Sequence, residues 1–210
     1  MRNKINISSN KVSIFALYFS LLILAGCPST PIPDDTLYQA EQERNEQLSK
    51  LEYWTIKGKI AFIEPDQKQS ANLYWQHGKN NSKLTLTTFL GVNVLTLTSE
   101  AGVHTLKVDG RTYVDEDLEL LLQSVTGVGL PVTQLMYWLK GLKAQDSDLI
   151  TFSPTTNLPT DLVAHYDDKD WHIKYASYTL VEQFRLAKKI TIKHRDLTIK
   201  MAIHSWTIDQ

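Results

Sequence analysis

The chain has 210 residues, and its 22 lysines and arginines nearly balance 23 aspartates and glutamates. Such a balance argues against nucleic acid or an anionic surface as partner, because both call for a basic face. The single cysteine excludes a disulfide framework, and a body of this length can build one core without staples.

Residues 1–20 carry Arg2, Lys4 and Lys11 and no acid, and an apolar run fills 12–25. A basic front, a short apolar middle and small residues after it describe a secretory signal peptide. The run is too short and wrongly flanked for a membrane span. It ends Leu24, Ala25, Gly26, Cys27. This resembles the bacterial lipobox, in which the cysteine takes a covalent N-acyl diglyceride and becomes the first mature residue. Loss of 1–26 removes three basic residues and no acid, leaving 19 against 23. Pro28, Pro31 and Pro33 make 27–35 an extended tether. Position 28 is not aspartate, the familiar inner-membrane retention signal, which by convention leans toward the outer membrane. The expected layout is a signal peptide over 1–26, lipidated Cys27 and tether over 27–35, and one domain over 36–210.

Thr36 can cap a helix reaching about residue 51. Its apolar positions, Leu37, Ala40, Leu48 and Leu51, are sparse, so the helix is expected on a surface. Alternation of period two then predicts strands over 54–62, 71–76, 84–87, 92–98 and 103–108. Asp109-Gly110 is a hairpin signal into 111–114. The stretch 115–141 is the one strongly helical part. Leu118, Leu121, Leu122 and Val125 form one apolar stripe behind Asp115, Glu116 and Asp117. Gly127 suits a left-handed cap. Pro131 opens a second helix with Val132, Leu135, Met136 and Leu139 on one face, ending at Gly141. The pair reads as a lid. Residues 146–160 look like loop. Strands return over 162–166, 171–178, 188–194 and 197–208, with turns at 167–170 and at Arg195-Asp196. Ten or so antiparallel strands imply a mainly β fold, a strongly curled antiparallel sheet or barrel. The residues leave open whether it closes.

Trp54, Trp75, Trp171 and Trp206 fall in predicted strands and Trp138 on the lid. Each serves equally as core or as ligand wall. A barrel of this size encloses more space than two short helices fill, and related architectures use the excess for an apolar ligand. The sequence carries no Gly-x-Ser-x-Gly, His-Glu-x-x-His, phosphate-binding loop or dinucleotide fingerprint. His77, His104, His165, His172, His194 and His204 show no metal-ligand spacing, so no metal or catalytic residue is assigned. His194-Arg195-Asp196 reads as a charged hairpin. A scattered triad stays open.

Ordered segments across the body resemble the LolB family, outer-membrane lipoproteins that receive other lipoproteins from the periplasmic carrier LolA. They are Trp54-Thr55-Ile56-Lys57-Gly58-Lys59-Ile60-Ala61, Leu73-Tyr74-Trp75, Phe89-Leu90-Gly91, Tyr113 with the following acids, Leu130-Pro131-Val132, Tyr137-Trp138-Leu139-Lys140-Gly141, Trp171-His172-Ile173-Lys174-Tyr175 with Tyr178, and Ile203-His204-Ser205-Trp206. Phe89 stands where the family usually has proline, and Asp170 where it usually has glycine. The resemblance implies an incompletely closed β-barrel with a helical lid over an apolar cavity. It also implies a monomer whose partners are LolA, lipoprotein acyl chains and the outer membrane.

The expected acyl-chain cavity is lined by Trp54, Ile56, Ile60, Leu73, Trp75, Leu84, Leu86, Leu118, Leu121, Leu122, Val125, Leu135, Leu139 and Trp206. Phe89, Leu90 and Gly91 fall where a polar turn is expected. In the family the matching leucine protrudes and aids delivery of cargo into the membrane. Two functions follow: a non-enzymatic receptor that inserts lipoproteins into the outer membrane, or a structural envelope lipoprotein or periplasmic hydrolase with a filled core.

Overall fold

The computed structural model describes residues 34–208 except Val128, with side chains from Glu41 onward, Thr126 apart. The expected signal peptide and Cys27 lie outside the described residues. Helix α1 (Asp34–Ser49) is followed by β1 (Trp54–Ile63), β2 (Lys68–His77), β3 (Asn81–Thr87), β4 (Asn93–Glu100), β5 (Val103–Val108) and β6 (Arg111–Asp115). Two helices come next, α2 (Leu118–Thr126) and α3 (Val132–Trp138). The chain ends with β7 (Leu149–Phe152), β8 (Pro159–Tyr166), β9 (Lys169–Val181), β10 (Phe184–His194) and β11 (Leu197–Ile208).

All eleven strands join one antiparallel sheet in the order β6-β5-β4-β3-β2-β1-β11-β10-β9-β8-β7. Its edges, β6 and β7, do not pair, so the barrel is not closed. The connection between those edges is the segment that carries α2 and α3. Helix α2 packs on β5 and β6, and the Tyr175 hydroxyl on β9 donates to the Trp138 carbonyl at 2.8 Å. The helix pair is therefore tied to both flanks of the opening. One apolar cluster joins the inward residues of the sheet to Leu121, Leu122, Val132, Leu135, Trp138 and Leu139 of the helical segment.

The sequence patterns hold for physical reasons. In β1, Trp54, Ile56 and Ile60 are buried while Lys57 and Lys59 are exposed, the signature of a sheet wet on one face. Asp117 caps α2 by accepting from the Leu120 amide at 2.9 Å. Gly127 closes it at φ 73°, its N–H bonded to the Gln123 carbonyl, as a left-handed cap requires.

Several expectations need correction. Helix α1 begins at Asp34, two residues before the cap expected at Thr36. Helix α1 is not purely superficial: Leu48 and, just beyond it, Leu51 are buried in the core. Pro131 is the N-cap of α3, not its first helical residue, and the helix ends at Trp138 with Gly141 in a following turn at φ 68°. The stretch expected as loop contains β7, a four-residue edge strand paired with β8. So short a strand has too few residues to show alternation.

Candidate functional site

A cleft of about 930 Å³ opens between the β2–β3 and β4–β5 turns on one side and the helical segment on the other. Its apolar floor is Trp75, Leu97, Leu118, Val132 and Met136. Its rim is polar: Lys79, Asn80 and Asn81 face Glu100, Asp115, Glu116, Asp117 and Glu119. The volume is at the upper end of the roughly 300–1,000 Å³ of ligand clefts. An apolar floor beneath a wet rim suits a ligand with a long apolar body and a polar end.

Behind the floor stands an aromatic group. The Trp54 ring lies 5.3 Å from Trp75 and 5.7 Å from Trp206, both edge to face, a favourable arrangement for aromatic pairs. Their polar handles are occupied: Trp75 Nε1 donates to Ser82 Oγ at 3.0 Å, and Trp206 Nε1 to the Ala187 carbonyl at 3.0 Å. His77 tilts against Trp54 at 5.1 Å. Its desolvation, and then the charge of Lys140, push its pKa below the ordinary value, so the imidazole on this wall is neutral at pH 7.

The far end of α3 is fastened by buried polar contacts. Trp138 Nε1 donates to Asp148 Oδ2 at 3.2 Å. The Lys140 ammonium, buried, donates to the Leu48 and Leu51 carbonyls at 3.1 and 3.3 Å. Arg44 of α1 donates to the Lys140 and Gly141 carbonyls at 2.9 and 3.3 Å. Cations at a helix C-terminus meet its negative dipole end. Burial lowers the pKa of both Lys140 and Arg44. Helix α2 rests its apolar face on β5 and β6 and shares a side-chain hydrogen bond between Glu119 and Tyr166 of β8.

Trp54, Ile56, Ile60, Leu73, Trp75, Leu86, Leu121, Leu122, Leu135, Leu139 and Trp206 are buried in the one core cluster. Leu84, Leu118 and Val125 are partly buried against it. Of all these, Trp75 and Leu118 line the cleft. Leu97, Val132 and Met136 also line the cleft but were not among the residues expected to line the cavity. Leu97 was findable, since it alternates inward on its strand, and Val132 and Met136 lie on the apolar face of the second helix.

A second feature stands apart from the cleft. Between β3 and β4, Phe89 and Leu90 are 87% and 76% exposed, with Val92 exposed beside them. The turn is well formed: Gly91 N–H donates to the Thr88 carbonyl, and Thr88 N–H to the Val92 carbonyl. Gly91 sits at φ 84°, a conformation in which glycine is at ease. The tip therefore does not fold back onto its own sheet. It holds two large apolar side chains out in water.

The family model described as outer membrane lipoprotein LolB matches residues 52–206. The outer-membrane lipoprotein LolB of Pseudoalteromonas translucida is 35% identical over 193 residues, 92% of each chain. That of Vibrio cholerae is 32% identical over 195 residues, 90% of this chain and 93% of its own. Among solved structures, a LolA superfamily protein from Nitrosomonas europaea matches with a TM-score of 0.52 at 7% identity, over 82% of this chain and 93% of the other. A DUF1329 family protein from Desulfovibrio piger matches with a TM-score of 0.58 at 10% identity, over 84% and 93%. The solved structures bear on the fold alone, an open antiparallel sheet with helices. With its sequence relatives and the match over nearly all of the body, the chain belongs to the LolB family of outer membrane lipoproteins.

Proposed function

We propose that this chain is an outer-membrane lipoprotein receptor that accepts lipoproteins by their acyl chains from a periplasmic carrier of the LolA type and inserts them into the outer membrane. The observation that carries this reading is the cleft, whose floor at Trp75, Leu97, Leu118, Val132 and Met136 runs into the core beneath the helix pair. Each CH₂ moved from water onto such a surface contributes about 0.8 kcal/mol, so one acyl chain carries several. Transfer needs no nucleotide if it runs down an affinity gradient, and ~1.4 kcal/mol between donor and acceptor gives a tenfold bias. Lipidated Cys27 would tether the receptor, which would act as a monomer. The Phe89–Leu90 tip would meet the bilayer during release.

The filled-core alternative draws on the depth at which Trp54, Ile56, Leu121 and Leu139 are buried. The hydrolase alternative has one observation to answer. Ser99 Oγ lies 2.7 Å from His104 Nδ1, and Asp115 is the register neighbour of His104. Asp115 forms no ion pair with His104 among the described residues, and its Oδ1 accepts the Asp117 amide instead. A serine–histidine pair without an orienting carboxylate lacks the third member of a triad.

The test is Leu90→Glu in the membrane-anchored protein. Uptake of cargo from the carrier should persist, because the cleft is untouched, while insertion of cargo into liposomes should fall. Lipid extracted from the purified protein should include acyl chains. Insertion at the native rate, together with an empty interior, would return the chain to a structural role.

A further inference from the structure

Near-neutral net charge hides a separation of charge across the molecule. Five strands that are neighbours in the sheet, β10, β11, β1, β2 and β3, contain no Asp or Glu. Their outward positions carry Lys57 and Lys59 on β1, Lys189 and Lys193 on β10, and Lys200 on β11, all exposed. Register sets them on one face: Lys59 and Lys189 both pair with Ala202 from opposite sides. Their backbones are thus two strand spacings apart, roughly 10 Å, with only a methyl group between them. Among the described residues none of these five lysines forms an ion pair. Acids cluster at the cleft rim and in the β8–β9 hairpin, and those nearest the five strands, Glu64, Asp66, Glu182 and Asp196, lie in the turns at the strand ends and not on this face.

The same face holds a shallow depression of about 280 Å³, lined by Lys57, Asn72, Tyr74, Thr85, Thr87 and His204. The Lys57 ammonium stands 5.8 Å over the Tyr74 ring. His204 is there because of a bulge: the β1–β11 register steps from Lys57↔Ser205 to Gly58↔Ile203, leaving His204 as the extra residue. Bulges commonly re-aim a side chain in this way. Asn72 Nδ2 donates to the Thr88 carbonyl at 2.8 Å, the residue just before Phe89. The basic depression therefore adjoins the base of the apolar tip.

We propose that this lysine-bearing outer face is a second membrane contact, which docks on the headgroups of anionic phospholipids beside the inserted Phe89–Leu90 tip. Ammonium groups and threonine hydroxyls are phosphate donors, and apolar insertion with adjacent cationic residues is how peripheral surfaces hold anionic leaflets. The face would set the angle at which the tip meets the bilayer. The inference rests on the proposed anchoring and tip insertion, and is independent of whether the cleft takes acyl chains.

The full-length lipid-anchored protein is reconstituted in vesicles of phosphatidylcholine, and of phosphatidylcholine with phosphatidylglycerol. Exposed amines are acetylated and mapped by mass spectrometry. Lys57, Lys59 and Lys189 should be protected several-fold in the anionic vesicles alone, and high salt should remove the protection. Lys79, at the cleft rim, should label equally in both. In Lys59→Gln/Lys189→Gln, protection of Lys57 should disappear, since each lysine near an anionic leaflet contributes a factor of roughly five. Equal labelling in the two vesicle types, or protection of Lys57 that survives both substitutions, would overturn the proposal. Cargo uptake is read in the same vesicles. It tests the receptor reading separately, because neither substituted lysine lines the cleft.

Discussion

Arg44 on α1 and Lys140 beyond α3 are distant in sequence, yet the Arg44 guanidinium donates to the Lys140 carbonyl at 2.9 Å and to the next carbonyl, that of Gly141, at 3.3 Å. Arg44 thereby fastens the end of the helical lid to the helix that precedes the sheet. Together with Tyr175 and Asp148 it fastens α3 through buried polar contacts, whereas α2 rests on its apolar face against β5 and β6 and on the half-buried Glu119–Tyr166 hydrogen bond. Hydrogen exchange should show this difference. Amides of α2 should exchange faster than those of α3, because local opening follows the number of buried contacts. Equal protection of the two helices would count against a hinged lid.

Removing those fastenings should cost unequally. Tyr175→Phe deletes one hydrogen bond, but the Trp138 carbonyl keeps the Gly141 amide at 2.9 Å, so the loss should be about 1 kcal/mol. Arg44→Ala strips two carbonyls of a charged donor and should cost about 2–3 kcal/mol. Urea melts of both variants give the comparison. A larger loss in Tyr175→Phe would reverse the ranking.

Leu118 and Leu121 separate cleft from core. Leu118 lines the cleft and is partly exposed, whereas Leu121 is buried. Leu118→Asp should leave the circular dichroism of the fold intact and abolish binding of a fluorescent fatty acid. Leu121→Asp buries an unpaired charge and should unfold the domain. Fatty-acid binding that survives Leu118→Asp would remove the cleft from the ligand path.

Two glycines should respond differently to alanine. A Cβ on Gly58 would lie 2.3 Å from the Ala202 carbonyl oxygen and 2.9 Å from Ile203 Cα, both backbone atoms of β11, so Gly58→Ala should disrupt the β1–β11 pairing. Gly127 meets open space but sits at φ 73°, so Gly127→Ala should cost only about 1 kcal/mol. Thermal melts that placed Gly127→Ala as the worse of the two would contradict this geometry.

Glu119 should make the lid pH-sensitive. Burial, then the carboxylates of Asp117 and Asp167, push its pKa above the ordinary 4.5. A carboxyl raised in the folded state favours the fold when protonated. That contribution is present below about pH 4.5 and is lost as pH rises through the higher folded value. Glu119→Gln should therefore raise Tm at neutral pH and flatten the fall of Tm above pH 4.5. A lower Tm at neutral pH would mean that the charged carboxylate is favoured in place.

The amino-acid sequence by itself determined the elements whose signals are local. Inward Trp54, Ile56 and Ile60 against outward Lys57 and Lys59 declare a half-buried strand, because one face of the sheet meets water. Asp117 and Gly127 declare the ends of α2, because caps are satisfied by their own turn. The exposed Phe89–Leu90 tip was legible because two large apolar residues fell where a turn had to be. Tertiary structure alone decided what depends on partners remote in the chain. Leu48 and Leu51 are buried because Lys140 and Arg44 fasten that helix to the far end of the lid. Strand β7 exists because β8 pairs with it, and its four residues carry no period of their own. That the sheet stays open, that Leu97 and Met136 share a floor with Trp75, and that Lys59 and Lys189 flank Ala202 follow from strand order and register. Those are set by pairings between segments far apart in sequence, and the net charge that argued against an anionic partner is an average over positions that only this register separates.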